Sequence, residues 1–563
     1  MQRSRVRRVG ALLVGLTLIA AACGDDEGSG DTTTATTAGG TTASTTGDTT
    51  TATTAGGTTA STTGGTTGTT TGMTGTTTAM TGTTTAMTGT TTAMTGTTTG
   101  MTGTTTGMTG TTTAMTGTTT GGTGAQGLGS CSGTIDTGGL EGEAVEGETA
   151  PTIPEEEGGA QGALSGMKGT TPLVDLADEF VERLNTCWTD LGNSELEDLN
   201  YGAESYDAVI VISLAAAIAE TDGAVMADEI VGVTKEGEKC TDYTGCLELI
   251  EAGTDIDYDG VSGPMEFNGN GEPLVASYGV LTFGDDNRLD DSLTEYVTAE
   301  ADPSAEVELQ TTSATREGDG TLKFGTLLPE TGSLAFLGPP EFAGVELAIA
   351  DVNAAGGVLG NDVEIVQGDS GDTSTDLASQ TVDRLLGEDV DAIVGAASSG
   401  VSLTVVDKIT DAGVVQFSPA NTSEELSDYD DDALYFRNAP PDSLQGPTVA
   451  NLVIEDGNAS AYILALDDAY GTGLADAVEA TLTEGGVEVV DKVIYDPKAA
   501  SFDSEVGAIA SADPDAIVLI TFDEGSRILR AMDERGVGPT AKAVYGVDGN
   551  MGNALGTNFD GGT

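Results

Sequence analysis

The stretch AYILALDDAYGTG, Ala461 to Gly473, decides how the rest of the chain is read. Ala461 to Leu466 is apolar without a break, as a strand buried on both faces is. Asp467 and Asp468 end it, and the small and glycine residues that follow open a helix. A strand running into a helix through a short polar turn is the repeating unit of an α/β protein.

The same unit recurs on both sides. Thr321 to Leu328 is a short apolar strand, and Glu341 to Asn353 has helical spacing, with Phe342, Val345, Ile349 and Val352 on one side. Ala354-Ala355-Gly356-Gly357 closes that helix, as glycine does at helix C-termini. Val363 to Gln367, Ala392 to Gly395 and Val414 to Phe417 read as strands, and Leu377 to Leu386 as a helix. Beyond Gly473 come the strands Val489 to Tyr495, Ala516 to Thr521 and Ala543 to Val547. Strands alternating with amphipathic helices give parallel sheets, and such sheets bind ligands beyond the carboxyl ends of their strands.

Four strand ends carry the informative residues. They are Gly395 to Gly400 (GAASSG), Phe417 to Thr422 (FSPANT), Asp467 to Gly473 (DDAYGTG) and Gly546 to Asn550 (GVDGN). With Leu327-Leu328-Pro329, Thr331-Gly332 and Asn353 to Gly357, their order resembles the leucine/isoleucine/valine-binding family of ABC-transporter substrate-binding proteins. The resemblance implies a two-lobed type I periplasmic-binding-protein fold, each lobe a parallel sheet flanked by helices.

The downstream part supplies only the first two-thirds of that fold. The remainder lies upstream. Leu164 to Gly169 resembles the strand that follows the fourth motif, and Leu173 to Trp188 is an amphipathic helix. Tyr201 to Ala208 (YGAESYDA) opens a long Ala-rich helix, and Gly260 to Phe267 and Tyr278 to Phe283 resemble the closing strands. The chain then reads as a circular permutant: 164–298 the last third of the fold, 299–320 a flexible junction, 321–440 the first lobe and 441–563 the second. Two other arrangements stay open: a chain truncated or misassembled from tandem copies, and halves that pair between molecules.

Residue by residue, the resemblance implies a ligand site. Ser399, the backbone of Ala420 and Thr422 would hold a carboxylate, which hydroxyls, N–H groups and a helix N-terminus suit. Asp548 stands where the family has an acidic partner for the ligand's ammonium, usually the longer Glu. Tyr470 would cover or hydrogen-bond the ligand. Leu337, where an aromatic is frequent, and Phe522 would line the side-chain pocket. Each residue also has a plainer reading: Ser399 as a helix cap, Thr422 as a turn residue, Tyr470 as packing, Asp548 as a turn before Gly549.

The outer bounds agree with an exported binding protein. Arg3, Arg5, Arg7 and Arg8 precede an apolar run from Val9 to Ala22, a signal segment over 1–22. Ala20-Ala21-Ala22-Cys23 resembles the lipobox of bacterial lipoproteins, which implies lipidation of Cys23 and attachment to the outer face of the cytoplasmic membrane. No later stretch reads as a transmembrane helix. Of the remaining cysteines, Cys240 and Cys246 are near enough to close a loop, with Cys131 and Cys187 as the other pair; the sequence leaves the pairing open.

Composition removes other classes. With no histidine, Ser-His-Asp catalysis and His-ligated zinc are excluded. No cofactor or metal site is expected, and an enzyme is the least favoured class. The formal net charge of −70 makes nucleic acid a poor partner.

Between the lipobox and the fold lies a low-complexity stalk, 23–130. DTTTATTAGGTTASTTG occurs twice, from Asp31 and from Asp48, and Met73 to Met115 then recur every seventh residue. One apolar residue per seven is no coiled coil, and such a segment has little to bury against its ordering entropy, so a disordered tether is expected. An acidic, Gly-rich linker follows over 131–163. The reading as a whole is a lipid-anchored protein that delivers a small zwitterion, a neutral or branched amino acid first, to an ABC permease. A ligand-sensing receptor domain and a surface structural protein with a vestigial clamp are the alternatives.

Overall fold

A computed structural model describes residues 159–302 and 306–561, together with strand segments between Thr32 and Thr120. The signal segment, Cys23, Cys131 and the linker up to residue 158 lie outside the described residues. The chain divides into two compact units, 1–127 and 128–563.

In the first unit only strand segments between Thr32 and Thr120 are described. The repeats run as extended strands that pair in parallel, Thr32 with Thr49 and Met73 with Met87. Each pair aligns a repeat with a copy of itself, and β-branched threonine favours the extended backbone.

In the second unit two sheets build two lobes. The first lobe's sheet has the order Glu364–Val366, Lys323–Leu327, Ala392–Gly395, Val415–Ser418 and Tyr435–Arg437, all parallel. The second lobe's sheet runs Glu295–Glu300, Val275–Thr282, Lys168–Pro172, Ala543–Gly546, Ala516–Ile520, Ser460–Leu466 and Glu488–Tyr495. Its first two joins are antiparallel and the rest parallel. The upstream strand Lys168–Pro172 therefore sits inside the sheet, pairing Lys168 with Tyr545 on one side and with Thr282 on the other.

The upstream part also covers the first lobe. The helix Gly202–Ala219 packs along the helix Gly338–Ala354. It is apolar enough to cross a membrane by length and composition, contrary to the sequence reading, but most of it is buried in the core. A helix apolar on all sides belongs in such a place. Its neighbour Asp178–Asp190 packs on the same partner.

The two ends of this unit meet. The Gly159 amide donates to the Phe559 carbonyl (2.7 Å), and a Cβ at Gly159 would fall 2.0 Å from the Phe559 ring. Asn287 stitches the seam: it accepts from the Leu164 amide (3.0 Å) and donates to the Ala160 carbonyl and to Asp560. The described residues of this unit thus begin at 159, inside the expected linker.

Other boundaries move as well. Leu164–Met167 is a turn, and the strand begins at Lys168. Gly260–Phe267 makes isolated bridges in place of a strand. The strands Tyr435–Arg437 and Glu295–Glu300 are additions. Residues 306–320 are fastened to the first lobe, where a flexible junction was expected. Cys240 and Cys246 form a disulfide, and Cys187 is disulfide-bonded too.

Candidate ligand site

The strand-end motifs come together between the lobes. In the first lobe the loop after Val415–Ser418 folds back on the loop after Ala392–Gly395. The Asn421 side chain donates to the Ala397 carbonyl (2.8 Å), and the Ser423 amide donates to Ser399 Oγ (3.3 Å). Ser399 is thereby engaged within its own lobe, while the helix Ser399–Thr410 is capped by Ser398, whose Oγ accepts from the Val401 amide (3.4 Å). The Ala420 amide donates to Ser418 Oγ at 3.2 Å. The Thr422 hydroxyl is buried beside the Asp442 carboxylate, without strict hydrogen-bonding geometry to it.

Arg437, which sequence reasoning passed over, fixes this loop from beneath. It is 1 % exposed. Its guanidinium donates to the carbonyls of Asn421 (3.3 Å) and Ser423 (2.8 Å), and to Glu272 Oε2 (3.1 Å from Nε). Glu272 belongs to the upstream part, and the buried guanidinium holds its carboxyl below the ordinary value against the opposing effect of burial. A lone basic residue in an acidic chain, placed at a strand end, was the available signal.

In the second lobe Asp548 is the centre. Tyr470 donates to its Oδ1 (2.7 Å), Tyr201 to its Oδ2 (2.7 Å), and the Gln445 amide also to Oδ1. Burial raises the Asp548 pKa, and these three donors and the Gly549 amide oppose the rise. Oδ1 takes two of the side-chain donors and Oδ2 one. Tyr201 and Gln445 were missed as site residues. Tyr201 stands before a helix far upstream, and Gln445 on the helix Asp442–Glu455 has no motif of its own.

That helix joins the two halves of the site. The Asp442 amide donates to the Thr422 carbonyl (2.7 Å), and Gln445, one turn on, reaches Asp548. Asp442 is wholly buried beside the Thr422 hydroxyl, and burial and the nearby Asp548 raise its pKa well above the ordinary range against the opposing effect of that hydroxyl. The walls are apolar. Tyr470 stacks on Phe522 at 5.5 Å, and both belong with Tyr201, Leu337 and Ala420 to one buried cluster. The lobes touch beside the site, where Ser423 Oγ donates to the Ala469 carbonyl (3.2 Å). A cavity of about 290 Å³ opens beside it between Ser333, Thr373 and Ser398 on one lobe and Asp468, Phe522 and Arg527 on the other. Among the described residues no cluster of acidic or thiol groups has the form of a metal site.

The family model described as "Periplasmic binding protein" matches residues 321–563. The chain is similar to the Leu/Ile/Val-binding protein BraC3 of Rhizobium johnstonii, 28 % identical over 43 % of this chain and 66 % of that one. It is 32 % identical to the Leu/Ile/Val-binding protein of Escherichia coli over 28 % of this chain and 43 % of the relative. Among solved structures it is similar to the branched-chain amino acid transporter substrate-binding protein LivJ of Streptococcus pneumoniae in complex with isoleucine. There the identity is 28 %, covering 43 % of this chain and 67 % of that one, with a TM-score of 0.38. The matched part spans two-thirds or less of these curated relatives.

Proposed function

We propose, from the match of residues 321–563 to the family model described as "Periplasmic binding protein", that this chain is an extracytoplasmic solute-binding lipoprotein. It captures a small zwitterion, a neutral or branched-chain amino acid first, between its lobes and delivers it to an ABC permease. Lipidation of Cys23 would hold it at the membrane. The observation that carries the reading is the pairing of a buried Thr422 hydroxyl at one lobe's strand end with a buried Asp548 carboxylate at the other's. The first suits a ligand carboxylate and the second an ammonium, and the helix Asp442–Glu455 fixes them relative to each other. Closure would favour docking because ligand binds the closed state better than the open one. Circular permutation is part of the proposal, supported by the upstream strand Lys168–Pro172 lying beside Ala543–Gly546 in one sheet.

The test is thermal unfolding of the purified chain with leucine, isoleucine, valine and a panel of other amino acids. A ligand at a hundredfold over its Kd should add about 2.7 kcal/mol of stability. The gain should vanish in Asp548→Asn and in Thr422→Val. A single transition that no amino acid moves would sink the ligand assignment and leave the fold standing.

A further inference from the structure

Residues 306–320 join the second lobe to the first, and their sequence reads as a slack junction. From Thr311 to Gly320 exposure alternates residue by residue, with Thr312, Ala314, Arg316, Gly318 and Gly320 turned inward. That is the pattern of extended chain laid on a surface. Each inward residue has a fixture. The Thr312 amide donates to Asp228 (2.9 Å), and Ala314 packs on the first lobe's core. Arg316 pairs with Asp391 (2.6 Å) while its carbonyl accepts from the Ala224 amide (3.1 Å). At Gly318 a Cβ would fall 1.8 Å from Asp222 Oδ1, so no larger residue fits. Asp222 Oδ2 accepts from the Asp319 and Gly320 amides (3.2 and 2.8 Å). Ser313 adds a two-fold hold on Asp432, from its amide (3.1 Å) and its hydroxyl (2.9 Å).

The upper end grips the hinge. Segments 173–177, 268–274 and 438–441 pass between the lobes, and the described residues 301–302 and 306–310 lie alongside 268–274. The Ala301 amide donates to the Leu274 carbonyl (2.7 Å), and Gln310 donates to Asn270 (3.1 Å). Glu306 pairs with Lys235 at 3.1 Å. Segment 268–274 carries Glu272, whose buried pair with Arg437 ties it to the passage 438–441.

We infer that residues 306–320 are a splint on the hinge, which fastens the crossing segment 268–274 to the base of the first lobe and so holds the lobes near the closed geometry. Opening must bend 268–274 away from a strap anchored at both ends. A clamp held closed binds more tightly, since apparent affinity scales with the fraction of molecules in the competent state. That consequence rests on the clamp function proposed above, whereas the restraint on opening can be measured without ligand.

The experiment is pulsed electron–electron resonance between spin labels on Ser374→Cys and Lys498→Cys, which lie on opposite walls of the cleft cavity. Asp432→Ala removes the hold on Ser313 at an exposed position. Ser313→Ala removes only the hydroxyl's share. Asp383→Ala, in an exposed pair with Lys408 elsewhere on the first lobe, is the control. A short, narrow distance distribution in the unliganded protein and the control, longer and broader in Asp432→Ala and to a lesser degree in Ser313→Ala, is the expected result. The same distribution in all four proteins would overturn the splint. With leucine as the probe ligand, a tenfold loss of closed state should weaken apparent affinity roughly tenfold. If leucine binds none of the proteins, the ligand assignment fails while the distances still decide the splint.

Discussion

The two lobes are assembled from the same two parts of the chain in different ways. The first lobe's sheet comes wholly from residues 323–437, and the upstream part reaches it through helices laid on its face. The second lobe's sheet is a composite in which upstream strands continue the ladder beyond Ala543–Gly546. The seam is therefore apolar packing in one lobe and backbone hydrogen bonding in the other. An unfilled helix face leaves apolar area in water, whereas a missing central strand also leaves a row of unpaired amides and carbonyls. Both lobes depend on the upstream part, and the second depends on it more directionally.

The largest effect follows from removing that part. A chain lacking residues 159–300 would leave Ala543–Gly546 at an open edge and the helix Gly338–Ala354 uncovered. We expect no cooperative thermal transition from it. A normal transition by circular dichroism would show that the downstream part folds alone, and the composite sheet would then be incidental.

A smaller break can be made at the hinge. Glu272→Leu removes the partner of Arg437 and leaves a guanidinium that is 1 % exposed without its carboxylate. Breaking one side of a buried pair costs about 3–5 kcal/mol. Chemical denaturation should show that loss with little change in slope. A loss under 1 kcal/mol would mean that water reaches Arg437 and that the pair does not join the two parts.

Legibility followed the same divide. The strands Ala392–Gly395 and Ser460–Leu466 were readable because a strand buried on both faces is a continuous apolar run. The edge strands Glu295–Glu300 and Tyr435–Arg437 were not, being half polar or short, and edges are specified by what they pair with. Ser399, Thr422, Tyr470 and Asp548 could be proposed because motifs at strand ends carry them. Tyr201 and Gln445 act through a partner distant in sequence, which no local pattern announces, and Arg437 was signalled only by its isolation as a basic residue at a strand end. The strap was misread for the opposite reason: its Thr, Ser and Gly residues are those of a linker, and its order comes from acidic side chains on the first lobe.

Protonation distinguishes the first lobe's buried helices from the surface. Glu204 is buried on the helix that covers the first lobe, and burial raises its pKa from the ordinary 4.5 to about 8. Its neighbour Glu341, buried and unpartnered, is pushed up by burial and by Glu204. A carboxyl whose pKa is raised by folding binds more protons folded than unfolded. Its contribution is thus present below pH 4.5 and lost progressively up to about pH 8. We expect the apo protein to be more stable at pH 5.5 than at pH 8, with Glu204 contributing about 2 kcal/mol after relaxation. Glu204→Gln should flatten the slope and stabilise the protein at pH 8. An unchanged slope would place the dependence in the general acidity of the surface, and high salt would then remove it.

The smallest effect tests the seam at the site itself. Asp548 takes one tyrosine hydroxyl from each part of the chain, Tyr201 from upstream and Tyr470 from downstream, each at 2.7 Å. Removing either hydroxyl takes one donor from a buried carboxylate that keeps two others, at a cost of about 1–2 kcal/mol. Tyr201→Phe and Tyr470→Phe should therefore lower stability by similar amounts. Because they share an acceptor, the double variant should lose more than the sum. Equal single effects with such coupling, read by denaturant unfolding, would show that the two parts meet at one carboxylate. An effect of Tyr470→Phe alone would mean that Tyr201 only packs there, and that the upstream part frames the site without entering it.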